Sequence, residues 1–73
     1  MKKYVLVGAG SRAYHMFAKP MASDWKAYAD FRGVYDINRK RAELLSAQCG
    51  NVPVYTDFER MLAEVSPDVV IVA

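Results

Sequence analysis

A run of branched apolar side chains that stops on glycine and leads straight into a helical pattern constrains this chain more than any other feature. Residues 3–8, KYVLVG, read as a strand, because a β-branched and aromatic run without polar alternation suits a strand buried on both faces of a sheet. The next residues, AGSRA, put Gly8, Gly10 and Ala13 in the spacing G-x-G-x-x-G/A, with alanine where an all-glycine version would end on glycine. Glycine at 8 permits a tight turn. The missing side chain at 10 lets a pyrophosphate approach the backbone, and a small residue at 13 lets the helix pack closely on the strand. Free amides at the helix start, those of Ser11 and Arg12 among them, and the helix dipole favour phosphate charge. By itself the motif is equally compatible with a bare strand-to-helix turn.

The pattern then alternates along the chain. Arg12 to about Lys19 carries helix formers with Ala13, Met16 and Phe17 at helical spacing, and Pro20 either ends or kinks that helix. Residues 21–30 read as a short helix or a loop capped by Ser23 or Asp24, with Trp25 and Tyr28 as packing residues. FRGVYD, 31–36, reads as a second strand weakened by Gly33. Asn38 can cap a helix over RKRAELLSAQC, with Ala42, Leu45 and Cys49 on one face and Gly50 as its stop. VPVY, 52–55, reads as a third strand in which Pro53 demands an edge or a strand start. Thr56 and Glu59 have capping-box spacing before Phe58, Met61, Leu62 and Val65, which repeat as one helix face. After the SPD turn, VVIVA (69–73) reads as an apolar strand.

Strands and helices alternating at this spacing imply βαβ units in one parallel sheet. The expected fold is therefore α/β, a partial Rossmann fold of about four parallel strands in the order 3-2-1-4 with crossover helices. The first two helices would cover one face and the 58–65 helix part of the other. Such an order leaves VVIVA on an edge, although an all-apolar strand belongs in a sheet interior, so the sheet is expected to continue in a longer parent. A chain of 73 residues buries only about 60% of its unfolded surface, which points the same way. Residues 1–73 are thus expected to be a piece of a larger sheet domain.

Charge and cysteine usage exclude several classes. The net charge of +2, with no basic stripe interleaved with aromatics, argues against a nucleic-acid face. The single cysteine, Cys49, rules out an internal disulfide and a CxxC metal arrangement and suits a reducing, cytoplasmic setting. MKKYVLVGAG imitates a secretory signal, but its apolar run is short and has no proper cleavage site. No segment approaches the roughly 18 to 20 apolar residues of a membrane helix, so no membrane partner is expected.

Asp36 is the residue that discriminates between a phosphate cradle and a bare turn. It closes the second strand 26 positions after Gly10, somewhat beyond the spacing of about 20 in the dinucleotide fingerprint. A carboxylate there can accept bonds from ribose hydroxyls and disfavours the 2′-phosphate of NADP; its other reading is a turn aspartate ahead of Asn38. Arg39 can stack on adenine or receive a 2′-phosphate, or it is a solvated first-turn arginine. Arg12 can pair with a pyrophosphate, although its amide is the safer contact. His15, with no second ligand converging on it, reads as a packing or surface residue. No metal constellation exists in the sequence.

Taken together, KYVLVGAGSRA and GVYDINRKRAELLSAQCGNVPVYTDFERMLAEVSPDVVIVA resemble the amino-terminal half of the Gfo/Idh/MocA oxidoreductases. The shared pattern is a glycine motif, an acidic end to strand two, R-A in the next helix, G-x-P-x-Y-x-D around strand three and a D-x-V-x-I-A strand four. The resemblance covers nearly all of the chain except residues 14–30. It implies the front of an NAD(P)-binding Rossmann domain whose parent transfers hydride between the nicotinamide and a sugar, cyclitol or related polyol. The cofactor-binding residues it implies are Gly8, Gly10, Ser11, Arg12, Ala13, Asp36 and Arg39, with NAD expected and NADP possible. The family's catalytic residues fall beyond Ala73, so the chain alone is expected to be inactive, with the carbohydrate-like substrate bound only by the longer parent. The competing reading is a non-catalytic nucleotide-binding or self-associating regulatory module, and a homo-oligomer is expected on either.

Overall fold

β1, Lys2–Val7, runs through the middle of the sheet with Val5 and Leu6 fully buried at adjacent positions, the two-sided burial its apolar run requires. The computed structural model describes residues 2–23, 25 and 27–73, apart from the side chains of Ser11 and Ala22; the cap expected at Asp24 lies outside the described residues. After β1 come the helix α1 over 11–22, β2 (Ala29–Tyr35), α2 (Arg39–Gln48), β3 (Val54–Tyr55), α3 (Phe58–Val65) and β4 (Val69–Val72). All three pairings are parallel and the order is β3-β2-β1-β4, the expected 3-2-1-4 arrangement.

Pro20 neither ends nor breaks the first helix. α1 is α-helical over Ser11–Ala13, widens to a π turn over Tyr14–Ala18 and returns to α over Lys19–Ala22. The Lys19 amide donates to the Tyr14 carbonyl, five residues back. A proline has no amide to give and crowds the carbonyl four residues before it, so a widened turn directly ahead of Pro20 accommodates the ring. The π turn also shifts the apolar stripe by one residue: Ala13, Ala18 and Met21 are buried, whereas Met16, expected inward, is half exposed. Ser23 closes the C-terminal end of α1 through its hydroxyl, which donates to the Lys19 carbonyl at 2.7 Å, instead of starting a new helix.

β2 begins at Ala29, two residues earlier than its pattern indicates, and its register with β1 slips between Tyr4 and Val5, leaving Arg32 as the extra residue. Gly33 has a packing reason there, since a Cβ would stand 3.1 Å from the Tyr55 ring and 3.2 Å from Met61 Sδ. β3 is only two residues long and lies at the edge; Pro53 precedes it and uses its carbonyl to accept the Val34 amide at 3.0 Å. Trp25 and Tyr28, expected to pack, are 44% and 76% exposed, because the connection they occupy runs outside the core.

α2 starts as its sequence indicates, with Asn38 Oδ1 accepting the Lys40 amide at 3.1 Å and the Arg41 amide at 3.4 Å. Ala42, Leu45 and Cys49 are buried on one face. Its end turns at Gly50 (φ +83°) and Asn51 (φ +64°), with the Asn51 amide on the Ser46 carbonyl. α3 corrects the expected cap: Asp57, extended at φ −131°, accepts the Arg60 amide at 3.2 Å, so the cap is one residue later than Thr56. Glu59 then sits in the first turn, where the helix dipole favours a negative charge.

The sheet has two unequal faces. Leu6 and Val34 point into a core closed by Ala13 and Ala18 from α1 and Ala42 and Leu45 from α2, with Ile71 of β4 packed against it. The other face meets α3 through Met61, which is fully buried over Gly33. Register places Val70 and Val72 of β4 on that second face beside Val5 and Val7, and they stay 39% and 75% exposed.

Candidate functional site

The carboxyl ends of β1 and β2 meet at the glycine turn. Gly8 takes φ +99°, a conformation open to glycine, and its amide donates to the Tyr35 carbonyl at 2.8 Å. The next amide, of Ala9, donates to Asp36 Oδ2 at 2.8 Å. Two successive bonds therefore fasten the turn to the end of β2. Asp36 Oδ1 accepts the Asn38 amide at 2.7 Å, so the residue is also the turn aspartate that its position ahead of Asn38 suggested.

The Gly10 carbonyl accepts the first helical amide, that of Tyr14, at 3.1 Å, which makes Gly10 the residue flanking α1. The amides of Gly10, Ser11, Arg12 and Ala13 consequently belong to the opening turn of the helix, whose donors have no partners inside the helix. A Cβ built on Gly10 meets nothing within 4 Å, and its φ is not positive. The fold therefore has no internal need for glycine here, and the space above the backbone is open to a ligand, as a pyrophosphate cradle requires. Ala13 is buried in the core beside Leu6, the close helix-to-strand packing its small size allows.

The charged candidates lie differently. The Arg12 side chain is exposed, with Nε 3.4 Å from Met16 Sδ one turn along α1, leaving its backbone as its contribution to the turn. Arg39 makes an exposed ion pair with Glu43 at 3.3 Å, four residues on along α2. His15 stands edge-on to Tyr14, ring centroids 5.1 Å apart, in a groove of about 600 Å³ that also borders Ala9, Gly10, Arg41 and Leu44. A slightly larger hollow of about 690 Å³ opens between Lys19, Asp30 and Asn51 and does not touch the glycine turn.

Two features of the turn are not evident from the sequence. The Ala9 amide is one, since no side-chain pattern marks a backbone donor as the partner of an acid 27 residues away. Ile37 is the other: it is 93% exposed between Asp36 and Asn38, and the signal available was a lone apolar residue in an otherwise polar turn. Among the described residues no His, Cys, Asp and Glu cluster could hold a metal ion, and no helix is long and apolar enough to cross a membrane.

A parallel 3-2-1-4 sheet with a glycine turn and an acid at adjoining strand ends defines a Rossmann-type nucleotide-binding segment. Residues 2–73 match the Gfo/Idh/MocA family, an oxidoreductase family with an NAD-binding Rossmann fold. The chain belongs to that family. It is similar to YteT of Bacillus subtilis (strain 168), a protein named as an oxidoreductase, with 32% identity covering all of this chain and 18% of that protein. Among solved structures it resembles an oxidoreductase from Thermotoga maritima, with a TM-score of 0.79 and 23% identity over 94% of this chain and 21% of that one. A second likeness is UDP-N-acetylglucosamine 3-dehydrogenase GnnA from Acidithiobacillus ferrooxidans, with a TM-score of 0.78 and 25% identity over 99% of this chain and 21% of that one. The chain thus spans about a fifth of the length of these relatives.

Proposed function

We propose that residues 1–73 are the front of a dinucleotide-binding domain and hold the adenosine and pyrophosphate portions of NAD. The observation that carries this reading is the glycine turn tied to Asp36, with open space over Gly10. The amides of Gly10, Ser11, Arg12 and Ala13 would receive the pyrophosphate, and the lone pairs of Asp36 not used by Ala9 and Asn38 would accept ribose hydroxyls. Ile37 offers apolar surface for the adenine ring beside them. The charge of Asp36 opposes a 2′-phosphate, so NAD is preferred to NADP; Arg39 reaches a 2′-phosphate only by leaving Glu43.

When bound, the nicotinamide supplies hydride chemistry. The parent is a dehydrogenase acting on a sugar, cyclitol or related polyol, a substrate class supported by the sugar-nucleotide dehydrogenase among the similar structures. No residue of this chain is assigned to the chemical step, so the chain alone turns over no substrate. A reducing, cytoplasmic compartment suits the lone Cys49. Calorimetry with NAD and NADP tests the reading. NAD should bind more tightly, and Asp36→Ala should weaken NAD by about 1 to 3 kcal/mol and relax the preference. Absence of binding by either cofactor would overturn it.

The open face at Val70 and Val72 favours a second reading, a self-associating module without catalysis. Absence of cofactor binding together with concentration-dependent assembly would support that reading over the first.

A further inference from the structure

Asp36 does more in this fold than stand at the end of a strand. Its Oδ2 accepts the Ala9 amide and its Oδ1 the Asn38 amide, and Asn38 Oδ1 in turn accepts the amides of Lys40 and Arg41. One carboxylate therefore links the turn that opens α1 to the cap that opens α2. Ala9 is only 8% exposed and its bond to Asp36 is part-buried, so removing the carboxylate would take away the partner of a partly shielded amide. Of the two bonds that fasten the turn to β2, the Gly8 bond to Tyr35 is all backbone, and the Ala9 bond is the one a substitution can delete.

Resting on the dinucleotide reading above, we propose that Asp36 is a positioning residue for the phosphate-binding turn. By bridging Ala9 and Asn38 it holds the amides of residues 10–13 aimed at an anionic ligand, whether or not that ligand carries a ribose. The two roles are compatible, since a carboxylate has about four lone-pair sites on two oxygens and the fold occupies two of them. Loss of Asp36 therefore costs affinity at the phosphate end as well as at the ribose end. A residue that only contacted the ribose would leave the phosphate end untouched.

Split ligands separate these cases. The full chain, labelled with ¹⁵N, is titrated with inorganic pyrophosphate, adenosine and NAD, and hydrogen exchange is followed at the Ala9 amide. Asp36→Ala should lose about tenfold in pyrophosphate affinity, the scale of one hydrogen bond to a charged group, together with Ala9 protection. Asp36→Asn serves where the alanine variant does not fold. Its single acceptor oxygen leaves either Ala9 or Asn38 without a partner, so its pyrophosphate affinity should also fall. Pyrophosphate affinity within twofold of wild type in the folded variant, with adenosine affinity reduced, overturns the proposal and leaves Asp36 as a ribose contact. Failure of the dinucleotide reading looks different: the unsubstituted chain then binds none of the three ligands, and the proposal falls with it.

Discussion

A side chain on Gly8 would run into the end of β4, because a Cβ there would stand 2.5 Å from the Ala73 carbonyl oxygen. The Ala73 amide in turn donates to the Val7 carbonyl at 2.9 Å, so the residue that follows β4 is fixed directly against the glycine turn. Gly8→Ala combines this collision with a φ of +99° that L side chains rarely adopt. It should destabilise the fold by at least about 2 kcal/mol. At roughly 4 to 8 °C per kcal/mol for a domain of this size, thermal unfolding followed by circular dichroism would show a drop of about 10 °C or a lost transition. A melt superimposable on wild type would mean that β4 does not close over Gly8.

Gly10 should behave in the opposite way. With open space at its Cβ and no positive φ, Gly10→Ala should leave stability within about 0.5 kcal/mol of wild type. Its effect should appear in cofactor binding, where the added methyl occupies the space assigned to the pyrophosphate. Unchanged NAD affinity in a stably folded Gly10→Ala chain would move the phosphate away from this turn.

The strand order and both sheet faces could be read from the sequence because they rest on apolar periodicity and on the handedness of βαβ crossovers, which single residues hardly disturb. Gly8, Gly10, Ala13 and Asp36 also come together as their spacing suggests. What the sequence hid depends on backbone detail. The π turn before Pro20 moves burial from Met16 to Ala18, a shift that no α-helical period contains. The Ala9 bond to Asp36 joins a backbone donor to a side chain 27 residues away. Thr56 and Asp57 are both competent caps, and only the backbone at residue 57 decides between them.

That choice of cap is itself testable. Asp57→Ala removes the acceptor for the Arg60 amide and a favourable charge at the start of α3, and should cost about 1 kcal/mol of stability. Thr56→Ala should cost clearly less. Urea denaturation of the two variants side by side gives the comparison, and a larger loss for Thr56→Ala would restore the capping box.

Cys49 gives the fold a pH dependence at the alkaline end. Burial pushes its thiol up from the ordinary value of 9.0, so above about pH 9 the unfolded chain releases a proton that the folded chain keeps. The contribution is fully present below the unfolded value and is lost as pH rises toward the folded one. Stability should therefore decline as pH rises past about 9 more steeply in wild type than in Cys49→Ala, measured by denaturant midpoints at successively more alkaline pH. Parallel profiles for the two proteins would show that burial does not hold the thiol neutral.

The second face of the sheet predicts how the isolated chain behaves in solution. Val70 and Val72 face the same side as Val5 and Val7, but α3 lies over Gly33 and leaves Val72 three-quarters exposed. β4 is also a sheet edge: among the described residues it pairs with β1 alone, and its sequence from Val69 to Val72 carries no charge or proline to discourage a further strand. Apolar surface and free edge backbone on the same element favour contact with a second copy, by strand addition along β4 or by packing of the open faces. Light scattering over a concentration series should accordingly report species larger than 8.2 kDa that grow with concentration. Val72→Lys places a charge on both the edge and the open face, so it should shift the distribution to monomer without touching the glycine turn. A wild-type chain that stays a monodisperse 8.2 kDa monomer at high concentration would show that β4 and its open face do not associate.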